Sequence, residues 1–419
     1  MPVELTEGDR VFLRGDRGEA AALAMRIIVE MAGVSGAERL IDVASAHVDG
    51  CLYHGIAGLA FAERLVAGGA RVAVPTTLNV GALDLLHPDR YRGDAVTAAN
   101  ARRQMDAYVA MGCRPTWTCA PYQLPERPAF GQHVAWAESN AIVFCNSVLG
   151  ARTDRYGDFI DICASLTGRV PFAGLHRDEA RRAGLVVTLE GISGRLLASD
   201  ALYSVLGHLL GREAGTEVPA IVGLPADTSE DRMKALGAAA ASSGSVAMVH
   251  AVGITPEAPT LEAATGGEEA RQLRVTTARL RAARDELGTD APERLGAVSV
   301  GTPHASLAEL ERLTGLLGTD EVAVPLYVNV GRDVLAKAEG GGLVPRLESM
   351  GVRVVSDTCT YISPVMDEVS GSVMTDSAKW AWYAPAKLGV DVVIGGLEEC
   401  VRSAVAGRVL LDETLWAGA

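Results

Sequence analysis

Apolar residues recur at three- and four-residue spacing along 18–31, 55–67 and 95–111, with Arg and Glu filling the intervening positions. That period predicts three amphipathic helices in the first half of the chain. Short apolar runs separate them. RVAVP at 71–75 reads as a buried strand stopped by its proline, and AIVF at 141–144 and LVVTL at 185–189 read as two more. From about Val218 the texture becomes regular. AIVGL precedes a helical stretch at 229–242, VAMV a long one at 268–287, AVSV one at 306–317 and VAVPLYV one at 332–338. VRVVS, a short helix at 377–382 and DVVIGG follow. Such alternation predicts parallel sheets with crossover helices, and so an α/β fold. Three segments are expected: an N-terminal α/β domain at 1–200, an alternating strand–helix domain at 201–340, and a C-terminal α/β segment at 341–419.

The composition narrows the function. A chain of 419 residues with 48 % apolar content can bury two or three cores, which excludes a disordered or fibrous protein. A net charge of −14 argues against a partner bound through phosphate neutralisation, whether nucleic acid or anionic membrane. No apolar run reaches the ~18 residues of a membrane span. The opening Met1-Pro2-Val3-Glu4 lacks a basic region leading into an apolar stretch, so a cytoplasmic location is expected. Seven cysteines are an odd, sparse set that reads as reduced thiols, some of them ligands, and not as a disulfide frame. Phosphate-loop, dinucleotide-binding, zinc-protease and nucleophile-elbow patterns are absent from the sequence.

Ligands of parallel sheets bind beyond the carboxyl ends of strands. Polar residues gather just after the predicted strands: Thr76, Thr77 and Asn79; then Asn146, Ser147, Arg152 and Thr153; then Thr302 and His304; then Ser356, Asp357, Thr358 and Cys359. Arg152 offers a bidentate fork for a carboxylate, although an arginine at a strand end is also a common structural tie. Ser45, His47 and Asp49 follow the apolar run 40–44, as loop caps or as substrate contacts. Glu138 and Ser139 can cap a helix or supply an acid–base carboxylate. His304 precedes a predicted helix, as an anion contact or a cap. Lys379 stands at a predicted helix start in a chain with only four lysines, which makes it a candidate cation. Cys119, Cys359 and Cys400 sit in turns or at a helix start. Three thiolates brought from distant segments can hold an iron–sulfur cluster with one iron open; equally, a buried cysteine is simply a small hydrophobe.

Together these segments resemble the aconitase X family, a branch of the aconitase superfamily of iron–sulfur hydro-lyases. The resemblance runs through Ile41-Asp42-Val43 to His47 and Asp49-Gly50, and through Val74-Pro75-Thr76-Thr77-Leu78-Asn79. It continues in Pro115-Thr116-Trp117-Thr118-Cys119-Ala120-Pro121-Tyr122, Ala135-Trp136-Ala137-Glu138-Ser139-Asn140-Ala141, Asn146 to Thr153, Asp357-Thr358-Cys359 and the Lys379 segment. It implies an aconitase-like α/β fold: several domains with parallel-rich sheets around a central cleft, the swivelling domain absent. That domain is expected as a separate small subunit carrying the serine base, making a heterodimer.

The resemblance further implies an iron–sulfur cluster of open nuclearity on Cys119, Cys359 and Cys400. It implies catalytic roles for Ser45, His47, Glu138 and Lys379. Thr76, Thr77, Asn79, Ser139, Asn146, Ser147, Arg152 and Thr153 would hold a small hydroxy acid. HVDGCLY at 47–53 looks like the bacterial branch, which dehydrates cis-3-hydroxy-L-proline; the archaeal branch dehydrates mevalonate 5-phosphate. Asp154 and Asp376 stand where the family often has Asn, Trp382 where it has His, and Thr302 where some members have Cys. A cluster-binding subunit without catalysis and a metal-free structural partner are the alternatives.

Overall fold

The computed structural model describes residues 3–289 and 294–417, so the opening Met1-Pro2 lies outside the described residues. It divides into two compact units: unit 1 is Met1–Leu83 with Gly93–Arg182, and unit 2 is Asp84–Arg92 with Ala183–Ala419. The fold is α/β with parallel-rich sheets. Among the described residues no helix is long and apolar enough to cross a membrane.

In unit 1, β1 (Leu40–Asp42) pairs antiparallel with β5 (Arg169–Pro171). Beside them β2 (Ala46–Val48) lies between β3 (Thr76–Leu78) and β4 (Ala135–Trp136) in a parallel sheet. The longer helices of this unit are α1 (Glu19–Val34), α2 (Ile56–Ala67), α3 (Ala95–Ala110), α4 (Ser139–Ser147) and α5 (Asp158–Thr167). The inner stripe of α1 is Ala20, Ala24, Met25, Ile28 and Ala32, and its small side chains admit close packing. The buried Asp161 carboxylate on α5 accepts the backbone N–H groups of Asp49 (2.7 Å) and Gly50 (3.0 Å), pinning the loop that leaves β2.

The predicted helices at 18–31, 55–67 and 95–111 correspond to α1, α2 and α3. Two predicted strands are corrected. AIVF at 141–144 lies inside α4, because Glu138 caps a helix there; a four-residue apolar run cannot by itself separate a buried strand from a buried helix turn. RVAVP at 71–75 is an extended lead-in, and the strand begins one residue past its proline, at Thr76.

Unit 2 holds two all-parallel sheets. In the first, β6 (Ala183–Leu189) and β7 (Val218–Val222) are flanked by β8 (His250–Ala251) and β9 (Arg271–Val275). In the second, the order is β12 (Val352–Val355), β11 (Leu326–Val330), β10 (Leu295–Ala305), β13 (Ser372–Thr375), β14 (Val392–Ile394). The crossovers include α6 (Asp200–Ala214), α7 (Glu230–Ser243), α8 (Thr277–Leu287), α9 (Leu307–Leu317), α10 (Arg332–Gly340), α11 (Ala378–Leu388) and α12 (Leu397–Ala406). The long helix expected at 268–287 is instead β9 followed by α8, because RQLRV alternates like a strand and the Thr276 hydroxyl then caps the helix. Within the chain, unit 2 resumes at Ala183. Gly340-Gly341-Gly342 joins two helices within unit 2, between strands of one sheet, so it is a local turn.

Helices α6 and α7 touch almost backbone to backbone. A Cβ on Gly207 would lie 2.2 Å from the Leu236 carbonyl oxygen and 2.8 Å from the Ala239 Cβ. Gly207→Ala should therefore lower stability by about 1–3 kcal/mol, the usual cost of overpacking. Gly33→Ala is the control. Gly33 lies in α1 with nothing within 4 Å of its added Cβ, and the change should be neutral or stabilising. Chemical denaturation of both variants checks the contrast.

Candidate functional site

The carboxyl ends of β10, β11, β12 and β13 carry the polar cluster of unit 2. Past β12 the chain turns through Asp357, whose φ of 63° is left-handed, a conformation Asp tolerates better than most residues. The turn is held from outside. Arg332, at the start of α10, grips the Asp357 carboxylate with two bonds of 2.6 and 2.7 Å, and the Leu85 N–H donates to the same group at 3.2 Å. Asp84 accepts the Ser356 N–H at 3.2 Å. Beyond the turn, the Asn329 Oδ1 accepts the Thr360 N–H (3.0 Å), and the Thr360 hydroxyl meets Ser299 (2.7 Å) and the Trp380 indole N–H (2.9 Å). Cys359 stands in the middle of this scaffold, 1 % exposed.

His304 reaches the same turn from β10. The register of β10 against β11 shifts between Val300 and Ala305, at Gly301, whose φ is 75° and where a Cβ would lie 2.6 Å from the Asn329 carbonyl oxygen. The fully buried His304 ring meets the Thr358 carbonyl through Nε2 at 3.1 Å. A ring nitrogen of His304 and the Cys359 sulfur lie within 4.8 Å of each other. Burial lowers the His304 pKa to about 4, with Lys234 and Lys379 adding to the effect, so the ring is neutral near pH 7. Lys234 donates to the His304 carbonyl at 3.4 Å and is itself paired with Glu309 and Asp231. Lys379 is buried in the first turn of α11, below the cap made by Ser377. Cys400 is placed differently from Cys359 and His304. It lies on α12 inside the apolar core with Val393, Leu397, Val401 and Ala404, and burial pushes its thiol pKa well up.

In unit 1, Cys119 follows a turn that begins at Trp117, φ 43°. Its carbonyl accepts the Asn140 side-chain amide at 2.9 Å, and the Asn140 Oδ1 accepts the Tyr122 hydroxyl at 2.6 Å. Glu138, at φ 71°, spends its carboxylate as the cap of α4, accepting the N–H groups of Asn140 and Ala141, both at 2.9 Å, and the Ser139 hydroxyl at 3.2 Å. Glu138 thus holds the helix turn whose Asn140 reaches the Cys119 carbonyl. Asn146 accepts from the Thr153 N–H (3.0 Å) and from Arg181 (3.1 Å). Thr153 bridges to the Trp136 backbone, and Ser147 is buried beside Asn146 on α4. Arg152 pairs with Asp178 and donates to the His176 carbonyl at 3.1 Å. The Thr76 hydroxyl turns back to the Val74 carbonyl at 2.9 Å, and the Ser45 carbonyl accepts the Ala135 N–H at 2.9 Å.

Two candidates in unit 1 keep unused polar atoms. His47, fully buried on β2, has its Nδ1 2.8 Å from the Thr77 hydroxyl, while its Nε2 has no hydrogen-bond partner. Burial lowers its pKa to about 3, outweighing the opposing pull of the Thr118 backbone, so it is a neutral imidazole. Asn79 donates to Asp49, and its buried Oδ1 is likewise unpartnered.

Family profiles for the aconitase X first, second and third domains match residues 2–179, 183–285 and 295–406. The chain belongs to the aconitase X family. It is 45 % identical over 409 residues to the cis-3-hydroxy-L-proline dehydratase of Pseudomonas aeruginosa, covering 96 % of this chain and 70 % of that protein. It is 40 % identical to the phosphomevalonate dehydratase large subunit of Methanothermobacter thermautotrophicus, over 93 % of this chain and 95 % of that one. The crystal structure of Thermococcus kodakaraensis aconitase X (holo-form) superposes with a TM-score of 0.86 at 33 % identity, covering 96 % of this chain and 100 % of that one. The carboxyl-end cluster of unit 2 falls within the aconitase X third-domain profile, and the Cys119 turn within the first.

The residues where this aconitase X chain departs from the resemblance have local explanations. Trp382 packs on His208 and under Arg212 in unit 2. Thr302 accepts from Asn329 at 3.3 Å. The Asp154 carboxylate fills the space left by Gly174, and burial raises its pKa. Asp376 lines a cavity of about 250 Å³ with Glu309, Asp231, Arg232 and Arg312. Burial, then Glu309, raises its pKa from 3.8 to about 7. The fold therefore binds this proton more tightly than the unfolded chain does. Its contribution to stability is full below about pH 4 and is lost as pH rises through 7. Asp376→Asn should match the wild type near pH 4 and exceed it in stability above pH 7; a urea denaturation series across pH reads the crossover.

Proposed function

We propose that this chain is the large component of an iron–sulfur hydro-lyase that dehydrates cis-3-hydroxy-L-proline. Loss of the C2 proton and of the C3 hydroxyl, together as water, gives a cyclic enamine that tautomerises to Δ1-pyrroline-2-carboxylate. The observation that carries this reading is the 45 % identity, over 96 % of the chain, to a protein named for that reaction.

The donor set fits the cofactor. Cys359 is a buried thiol in a turn fixed by an ion pair, with an imidazole nitrogen within 4.8 Å, and sulfur with nitrogen suits iron. Cys119 is the thiol that unit 1 would add, as the resemblance implies, while Cys400 serves the core. When bound, such a cluster supplies an open iron that acts as a Lewis acid toward the leaving hydroxyl. The side chains do the rest. Lys379 meets the substrate carboxylate. The unpartnered His47 Nε2 and Asn79 Oδ1 take the polar groups of the ring, with Thr77 holding His47 in one orientation. Glu138, Ser139, Asn146, Ser147, Arg152, Thr153, Thr76 and Ser45 hold the loops that present these groups. A separate small swivelling subunit supplies the serine that removes the proton. Seven buried cysteines, none of them in a disulfide, support a reducing compartment, the cytoplasm.

A second reading, dehydration of mevalonate 5-phosphate, is supported by the 40 % identity, over 93 % of this chain, to a phosphomevalonate dehydratase large subunit. Anaerobic co-expression with a small-subunit gene, followed by assay of both substrates, separates the two. The expected result is turnover of cis-3-hydroxy-L-proline with little or none of the phosphate ester; the reverse preference overturns the proposal. Cys119→Ser and Cys359→Ser should each remove the visible cluster absorption and lower kcat/KM by roughly a hundredfold or more.

A further inference from the structure

We propose that His304 is itself a ligand of the cluster, through Nδ1, so that unit 2 presents a mixed sulfur–nitrogen pair, Cys359 and His304. This rests on the iron–sulfur reading above and adds the identity of one donor.

The argument begins with the tautomer. A carbonyl oxygen only accepts, so the 3.1 Å contact between His304 Nε2 and the Thr358 carbonyl requires the hydrogen to be on Nε2. The neutral ring then carries its lone pair on Nδ1, which is the form that binds metal. Metal-bound histidines characteristically donate their other N–H to a carbonyl or carboxylate, which fixes both tautomer and ring plane. Here the accepting carbonyl belongs to Thr358, the residue directly before Cys359. One turn therefore orients the imidazole and delivers the thiol, and a ring nitrogen of His304 comes within 4.8 Å of the Cys359 sulfur.

The backbone holds the ring from the other side. The kink of β10 at Gly301 aims His304 at the turn, and the buried ammonium of Lys234 donates to the His304 carbonyl at 3.4 Å. Burial works to lower the Lys234 pKa, but Glu309 and Asp231 outweigh it and keep the group charged. A fully buried imidazole with this much support against rotation is costly to build for packing alone, since an apolar ring would fill the space without needing a hydrogen-bond partner.

The test is nitrogen hyperfine spectroscopy on the reduced, reconstituted protein, prepared with natural-abundance and with 15N-labelled histidine. The expected result is a strongly coupled nitrogen whose splitting changes with the isotope and disappears in His304→Cys, a variant that keeps the iron content through a replacement thiolate. His304→Ala should lose iron. A wild-type cluster with no coupled nitrogen, or the same coupling in His304→Cys, overturns the proposal and leaves the dehydratase reading standing. Wild-type protein that takes up no iron overturns both.

Discussion

The bidentate pair between Arg332 and Asp357 is the constraint on which the unit 2 site depends. Asp357 is fully buried in a left-handed turn, and such a conformation persists only where its surroundings over-determine it. Arg332 supplies both the geometry and the countercharge; leaving a buried carboxylate without its partner costs on the order of 3–5 kcal/mol. Everything next along the chain inherits that fix. Thr358 turns its carbonyl to His304, Cys359 follows, and Thr360 locks into Asn329, Ser299 and Trp380. The thiol is placed by a charge pair two residues upstream.

Much of this was legible in the sequence. The parallel alternation after Val218 announced the sheets of unit 2, the rule that strand ends carry ligands pointed to Cys359 and His304, and the scarcity of lysine drew attention to Lys379. Their supports were not legible. Arg332 is one arginine among many, and nothing in its neighbours marks it as the partner of a residue 25 positions later. Asp84 and Leu85 reach the same turn from 272 positions away, in a segment that leaves unit 1 to join unit 2. Local pattern carries periodicity and caps; it carries no long-range pairing. The two misplaced strands have the same origin, since AIVF and RVAVP are short apolar runs whose fate was decided by Glu138 and by the pairing of Thr76 with Ala46.

Unit 1 shows the converse. Its polar motif residues were visible as candidates, yet most are occupied by the fold. Glu138 caps α4, Asn146 and Thr153 tie one loop, and Arg152 is paired with Asp178. A motif dense in Asn, Thr, Glu and Arg signals that backbone must be held in an irregular path as strongly as it signals substrate. Burial separates the two roles: His47 and Asn79 are the candidates left with buried polar atoms that lack a hydrogen-bond partner. Unsatisfied buried atoms cost energy, and a ligand that satisfies them removes that cost when it binds.

The same accounting bears on substrate charge. A phosphate monoester brings close to two negative charges and needs several cations turned toward it. Arg152 is committed to Asp178, Arg332 to Asp357, and Lys234 to Glu309 and Asp231. The histidines add nothing, because burial holds His47 and His304 neutral. An amino acid makes a lighter demand, since its single carboxylate calls for one cation and its ammonium for acceptors alone. In a chain of net charge −14, a zwitterion approaches without fighting the field of the protein, whereas a dianion must be drawn in against it.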